Sequence, residues 1–248
     1  MSGHSKWSTI KHQKGAKDAK RGKLFAKLIR GIEVAAREGG SNPDGNATLA
    51  DAIQKARDNS VPADTIDRAV KRGAGELEGQ KLELQTYEGY APGGVAVLVE
   101  AYTDNRNRTS SDVRRVFNRG GGSLADPGSV AYLFTRKGEI IIPADAADED
   151  AVMEAALEAG AEDVVSGTAG FTVTTDPSGL RDVRAAFDAA GLAYDSAQVT
   201  MVPSMSIPLD GSNAGQVLRL LDALEDLDDV QDVYANFDIS DEVMAQVG

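Results

Sequence analysis

Lysine recurs at every third position near the N-terminus, at residues 11, 14, 17, 20 and 23. Ammonium groups at this spacing suit a nucleic-acid backbone, because each can neutralise a phosphate and release its counterions. Residues 1–75 hold 15 Lys and Arg against 8 Asp and Glu, a net charge of +7, whereas residues 76–248 hold 11 against 31, a net charge of −20. A basic head on an acidic body predicts one module that binds a polyanion. The alternative is a solvated helix face that follows a flexible tail.

Trp7 is the only tryptophan of the chain, and it lies among Lys6, Lys11 and His12 with Ile10 as its apolar neighbour. An aromatic side chain in such surroundings is typical of a residue that stacks on a base or an rRNA surface. The alternative is that Trp7 and Ile10 fold back as a lid on the following helices. Residues 1–17 are too polar and too rich in glycine to build a core, so we expect an arm that orders against a partner.

A second group of cations lies in the acidic body. Five arginines fall between positions 106 and 119, within the segment RNRTSSDVRRVFNR. Guanidinium groups bind phosphates in a bidentate manner, which makes this segment a second candidate phosphate site. The alternative is that these arginines pair with the many carboxylates nearby.

The sequence argues against disulfides, metal sites, phosphate loops and catalytic sites. The chain has no cysteine, which excludes disulfides, Cys-ligated metals and thiol nucleophiles and favours a reducing compartment, so we predict a cytoplasmic protein. His4 and His12 make a poor metal site, and NRGGGS at 118–123 lacks the ending of a phosphate loop. The acidic residues between 222 and 232 lack calcium-loop spacing and are interpreted as a solvated helix face. No catalytic constellation is present, which predicts a non-enzymatic protein without metal or cofactor.

Hydrophobic periodicity predicts an α+β, multi-domain chain. Helices are expected from Asp18 to a stop at Gly39, at about 48–59 and at about 62–72, forming a three-helix bundle whose first helix has a cationic face opposite its apolar one. A hairpin with a strand at 94–103 follows, and Thr109 with Asp112 forms a capping-box pattern that predicts the start of a helix. Residues 137–202 then alternate as βαββαβ, the order of a ferredoxin-like unit. No apolar run approaches the ~18 residues of a membrane span.

The expected organisation is therefore one domain inserted in another. Residues 1–75 form the basic arm and bundle, residues 76–136 plus 203–248 form a split α+β domain, and residues 137–202 form the inserted ferredoxin-like domain. The segments SMSIPL, AGQVLRLLDALEDL and VQDVYANFDI supply the second half of the split domain.

Several long motifs resemble the YebC family, which includes PmpR-type regulators and the mitochondrial translational activator of cytochrome c oxidase subunit I. They are GHSKW, RGKLFAKLIR, VAAREGG, KRGAGE, YEGYAPGGVAV, TDNRNRTSSDVRRVFNRGGGSLADPGSVAYLF and LDDVQDVYANF, and they cover nearly the whole chain. The resemblance implies three domains and a role in gene expression without known catalysis. The candidate nucleic-acid contacts are Lys6, Trp7, Lys11, His12, Lys14, Lys17, Lys20, Arg21, Lys23, Lys27 and Arg30, with Arg106, Arg108, Arg114 and Arg115 second.

Three functions stay open from the sequence. The favoured one is a translation factor that binds rRNA or another RNA through the arm, because the lysine spacing suits a backbone track. The second is a transcription regulator that binds DNA, although no recognition helix rich in Asn, Gln and Arg is evident. The third is a ligand-sensing ferredoxin-like module. The acidic body is expected to meet protein rather than nucleic acid.

Overall fold

The computed structural model describes residues 18–79, 81–167, 170–240 and 242–243, with side chains from residue 21 onward. Two compact units divide the chain, and each is described by itself. Of the described residues, the first unit holds 18–79, 81–131 and 209–235 together with 242–243, and the second holds 132–167, 170–208 and 236–240. The arm residues Lys6, Trp7, Lys11, His12, Lys14 and Lys17 lie outside the described residues.

Three helices begin the larger unit: α1 (Asp18–Gly39), α2 (Ala47–Asp58) and α3 (Ala63–Gly73). Apolar residues at helical spacing bury one face of each helix, with Ile32, Leu49 and Ile66 in the shared core. Asn46 connects α1 to α2. Its side-chain oxygen accepts the Leu49 N–H at 3.0 Å, and its amide donates to the Ala35 and Gly40 carbonyls at 2.8 Å.

A four-stranded sheet follows, built from β1 (Glu83–Tyr90), β2 (Ala96–Thr103), β3 (Ser123–Leu124) and β9 (Val230–Ala235) in the spatial order β3-β1-β2-β9. β1 and β2 form the expected hairpin, with Glu83 opposite Thr103 and Tyr90 opposite Ala96. β2 is an inner strand and is buried on both faces, which explains its nearly unbroken apolar run.

Helices α4 (Arg106–Arg119) and α7 (Gly211–Glu225) pack on this sheet and on each other. The predicted helix start at Thr109 is wrong. Asn105 is the N-cap, and its side-chain oxygen accepts the Arg108 N–H at 3.1 Å. Thr109 is buried inside the helix, so its hydroxyl serves tertiary contacts rather than a cap. The GGG run ends the helix, as expected, with Gly121 at a φ of +77°.

The second unit contains the βαββαβ order expected from the sequence. Its elements are β4 (Phe134–Pro143), α5 (Glu149–Glu158), β5 (Asp163–Gly167), β6 (Gly170–Thr175), α6 (Leu180–Ala190) and β7 (Ser196–Pro203). The sheet order is β5-β6-β4-β7, with every neighbouring pair antiparallel, which is the ferredoxin-like arrangement. Both helices pack on one core with Ile140, Val152 and Phe187 at its centre. A short parallel pair, β8 (Ile207–Pro208) with β10 (Phe237–Asp238), completes this unit.

The predicted fold class is confirmed: the chain is a multi-domain α+β protein with an N-terminal helical region and a βαββαβ unit within its sequence. The three-way division into residues 1–75, 76–136 plus 203–248, and 137–202 stays a prediction. None of the described helices is long and apolar enough to cross a membrane.

Candidate nucleic-acid interface

Helix α1 carries the cationic face predicted from the sequence. Leu28, Ile32 and Ala35 bury one side of this helix in the bundle core. Lys23, Lys27 and Arg30 follow the opposite side because they recur at spacings of four and three residues. The structure therefore presents three cations along one line of α1.

These three cations bind the turn that joins α7 to β9, which we call the acidic turn (residues 225–229). The Lys27 ammonium donates to the Glu225 carbonyl at 2.6 Å, and the Lys23 ammonium donates to the Asp226 carbonyl at 3.2 Å. Arg30 donates to the Asp228 carbonyl. On the neighbouring helix, Lys55 lies 3.6 Å from the Asp232 carboxylate.

The contact follows from the chemistry of a helix end. The last carbonyls of α7 have no partner within the helix, and the helix dipole places partial negative charge there. Lys23 and Lys27 supply donors and positive charge at that position. Lys23 also lies 3.7 Å from the Asp226 carboxylate, but both side chains are more than half exposed, so this ion pair contributes little. The main effect is that cations of α1 cap the C-terminal end of α7.

The described side chains nearest the start of α1 are open to solvent. Arg21, Gly22 and Lys23 are exposed, and the Arg21 guanidinium lies 5.4 Å from the centre of the Phe25 ring. The Lys20 side chain lies outside the described residues. The exposed cations Arg21 and Lys23 therefore follow the arm (residues 1–17) within a few positions of the sequence.

The second arginine group makes several ion pairs. Arg106 donates through Nε to Glu83 at 3.0 Å, and Arg108 donates to Asp104 at 2.9 Å. Arg115 donates to Asp112 at 2.7 Å. Arg114 is exposed and has no ion pair with any residue that the structure describes. Three of the five arginines between positions 106 and 119 thus have the carboxylate partners that the sequence left as the alternative.

Asp229 joins the two cationic regions. Its carboxylate accepts from Arg108 at 2.8 Å and from the Thr109 hydroxyl at 2.7 Å. Burial acts to raise the pKa of Asp229, but these hydrogen bonds and the charges of Arg108 and Arg30 together lower it. The interpretation of residues 222–232 as a solvated face therefore fails at Asp229, whose side chain is only 19% exposed.

Sequence reasoning missed the acidic turn as a partner of α1. The available signal was complementary charge, because basic residues follow one face of α1 and acidic residues cluster at 225–232. Charge alone, however, does not predict that α1 and the acidic turn are in contact, because about 200 residues separate them in the sequence. Among the residues that the structure describes, no group of three or more His, Asp or Glu side chains could hold a metal ion.

Comparisons with known proteins agree along the whole chain. Residues 5–76 match the family model for the TACO1/YebC protein N-terminal domain, and residues 82–237 match the model for the TACO1/YebC second and third domain. A "Probable transcriptional regulatory protein" of Acidothermus cellulolyticus is 60% identical over 248 residues, covering 100% of both chains. A protein of the same name from Rubrobacter xylanophilus is 60% identical over 100% of this chain and 99% of its own.

A solved structure agrees with these relatives. The crystal structure of a conserved hypothetical protein, Aq1575 from Aquifex aeolicus, superimposes with a TM-score of 0.81 at 50% identity, covering 92% of this chain and 94% of that one. The resemblance inferred from the sequence motifs is thereby confirmed. The chain belongs to the TACO1/YebC family.

Proposed function

We propose that this protein is a non-enzymatic regulator of gene expression that binds ribosomal or other RNA through its basic arm and the first turns of α1. The observation that carries the proposal is the division of charge, +7 in residues 1–75 against −20 in the remainder. A large polyanion attracts the head and repels the body, so it orients the molecule before any specific contact forms.

The intramolecular contacts narrow the proposed surface. Lys27 and Arg30 bind carbonyls of the acidic turn, and Arg106, Arg108 and Arg115 have carboxylate partners. A phosphate would have to displace these partners to reach the cations. We therefore place the principal contact at Lys6, Trp7, Lys11, His12, Lys14, Lys17, Lys20 and Arg21. Lys23 belongs to its edge, because its ammonium binds the Asp226 carbonyl while its side chain stays half exposed. A secondary contact lies at Arg114.

The third helix of the bundle argues for RNA over duplex DNA. A recognition helix enters the major groove between two phosphate backbones. The exposed face of α3 carries Asp64 and Asp67 together with Arg68 and Lys71, and Arg68 pairs with Asp64, so this face has no net positive charge. These carboxylates would meet the phosphates that flank the groove, whereas a track of lysines needs no groove.

A second candidate function is transcription regulation through DNA. The observation that favours it is the name "Probable transcriptional regulatory protein", which full-length relatives at about 60% identity carry. Basic arms also bind DNA through its phosphates, so charge alone does not separate the two functions. The proposal requires a preference for ribosomes at a salt concentration that dissociates non-specific DNA complexes.

The test is co-sedimentation with purified ribosomes across a salt series, alongside binding to duplex DNA at the same salts. We expect retention on ribosomes at ~150 mM salt, where non-specific DNA binding falls to about 10⁻⁴ to 10⁻⁶ M. Replacing Lys11, Lys14, Lys17 and Lys20 with Glu should abolish that retention. A matched control replaces four exposed cations elsewhere, Arg57, Lys81, Arg136 and Arg181, and changes the net charge equally.

The outcomes separate the candidates. Loss of binding in the arm variant but not in the control supports the arm as the site. An equal loss of ribosome binding in both variants would show that net charge, rather than the arm, causes the loss. Absence from ribosomes together with tight, sequence-dependent DNA binding would replace the RNA proposal with transcription regulation.

A further inference from the structure

A cleft of about 590 Å³ lies between the C-terminal end of α4 and the outer face of α7. Val116 and Ala223 supply its accessible apolar surface, and the buried Leu220 also lines it. Arg119 from α4 and Arg219 from α7 also line it, with Gln216. Its volume is in the range of sites that accept a small ligand or a few side chains of a partner.

The glycine run after α4 forms this cleft. A Cβ at Gly120 would lie 2.7 Å from the Leu220 Cδ1, and a Cβ at Gly122 would lie 2.5 Å from the Tyr90 carbonyl oxygen. The absence of a side chain at Gly120 lets α7 approach the end of α4 closely, and its absence at Gly122 lets the following loop lie against β1. NRGGGS is thus more than a helix stop, because it also sets the shape of the cleft between the two helices.

Like Arg114, the two arginines have no ion-pair partner among the residues that the structure describes, unlike the other arginines of α4. Arg106, Arg108 and Arg115 each have a carboxylate oxygen within 3.0 Å. Arg119 and Arg219 are exposed, and neither guanidinium group has an ion pair or a hydrogen bond with the residues that the structure describes. Two positively charged guanidinium groups without a carboxylate partner therefore lie beside an apolar surface, within a body whose net charge is strongly negative.

We propose that this cleft binds an acidic, amphipathic segment of a partner protein. An apolar side chain of that segment contacts Val116 and Ala223, while its carboxylates pair with Arg119 and Arg219. Arginine suits this role because its planar group binds a carboxylate through two parallel hydrogen bonds. The site is separate from the arm, so it stands whether or not the proposed RNA contact does.

The lining favours a protein segment over a nucleic acid. Binding of single-stranded RNA relies on aromatic side chains for base stacking, and none of the described residues that line this cleft is aromatic. The surrounding body also carries most of the negative charge, which opposes a long polyanion more than a short segment with few carboxylates.

The test uses the full chain and a fluorescent peptide of about a dozen residues that combines Glu and Asp with Leu and Phe. Binding is followed by fluorescence anisotropy. One comparison peptide has Ser in place of Leu and Phe, and a single-stranded RNA of similar length tests the other class of ligand. The protein variants are the double substitution Arg119→Glu with Arg219→Glu and, as a control of equal charge change, Arg136→Glu with Arg181→Glu.

We expect the acidic amphipathic peptide to bind, the Ser peptide to bind more weakly, and the Arg119→Glu, Arg219→Glu variant to lose roughly tenfold in affinity or more. The control should bind like the unaltered protein, and an unchanged thermal melting curve would show that both variants fold. Replacing both arginines with Lys should restore part of the affinity.

Three results would overturn the proposal. They are no binding of the acidic peptide, equal binding by the cleft variant and the control, and an affinity for RNA that falls in the cleft variant while that for the peptide does not. Loss of ribosome binding in the arm variant with intact peptide binding would separate this site from the proposed RNA contact.

Discussion

Glu88 shows how one carboxylate can hold a loop in place. It lies on β1, is buried, and accepts backbone N–H groups from Gly128 at 2.6 Å, Val130 at 2.6 Å and Ala131 at 2.8 Å. Burial acts to raise the pKa of Glu88, but the three backbone donors lower it below its ordinary value of 4.5. The charged form therefore stabilises the fold.

Glu88→Gln should lower the free energy of unfolding by about 2–3 kcal/mol, because the amide loses the charge and presents N–H groups toward other donors. Urea denaturation measures the change. Because folding lowers the pKa of Glu88, its contribution is fully present above 4.5 and is lost as the pH falls through the lower value in the folded state. The difference between the two proteins should therefore shrink in acid.

The matched control is Glu76→Gln at an exposed position. It should change stability by less than about 0.5 kcal/mol. Equal stability of the Glu88→Gln protein and the unaltered protein at neutral pH would contradict the role assigned to Glu88.

Residue types alone did not reveal this clamp. The sequence identified apolar positions and charge runs, but it gave no reason to single out Glu88 among 39 acidic residues. Its role depends on a loop that begins some 40 positions later and turns its N–H groups inward. The same holds for Asp229, whose partners Arg108 and Thr109 lie about 120 positions away.

At the scale of elements, periodicity predicted what local sequence controls. The helix from Asp18 to Gly39 and the strand at 170–175 agree with prediction because alternation and amphipathic spacing are local. The start of α4 was predicted too late. Thr109 and Asp112 have capping-box spacing, but Asn105 caps the helix and Thr109 is buried. The Thr109 hydroxyl therefore donates to Asp229 in a tertiary contact instead of capping the helix, as its local spacing had indicated.

The crossing of α1 and α3 depends on Gly73. A Cβ there would lie 2.7 Å from the Ala36 Cβ and would also meet the Glu33 carbonyl oxygen. Gly73→Ala should therefore separate the helices and lower the free energy of unfolding by about 1–3 kcal/mol, as measured by urea denaturation. Gly45→Ala is the control, because nothing lies within 4 Å of its Cβ position. Gly73→Ala proving as mild as the control would refute the close crossing.

The acidic turn should weaken the affinity of the neighbouring head for a polyanion. Asp226→Asn with Asp228→Asn removes two negative charges but keeps the carbonyls that bind Lys23 and Arg30. We expect binding to ribosomes to strengthen roughly threefold at low salt and less at high salt. The measurement is affinity across a salt series.

The control for the acidic turn changes the same charge elsewhere. Glu158→Gln with Asp163→Asn neutralises two exposed carboxylates outside the first unit. An equal gain in affinity from both double variants would attribute the effect to net charge rather than to the turn.

At the scale of the whole molecule, the salt dependence of the binding constant measures how many phosphates the head contacts. The logarithm of the binding constant falls with the logarithm of the salt concentration at a slope of about 0.7 per contacted phosphate for single strands. If Lys11, Lys14, Lys17 and Lys20 each bind one phosphate, replacing them with Gln should reduce the slope by about 3. An unchanged slope would place the contact elsewhere.

At the scale of the whole molecule, the division of the chain into three domains stays a prediction. The βαββαβ order and the resemblance of the motifs to one family indicated a domain within a domain. The two units could not be drawn from the sequence, because the larger one joins the helical bundle to the first sheet through side chains such as Arg37, which donates to the Leu82 carbonyl at 3.0 Å. Contacts of that kind leave no periodic pattern.

The order of strands has a consequence for how the chain is made. β2 pairs with β9, and α1 binds the acidic turn, yet about 130 residues separate β2 from β9. During synthesis the βαββαβ segment is complete while β2 still exposes an open edge and α1 still lacks its partner. The middle of the protein can therefore fold before its beginning does, and a nascent chain keeps its basic helix uncovered until the acidic turn has emerged.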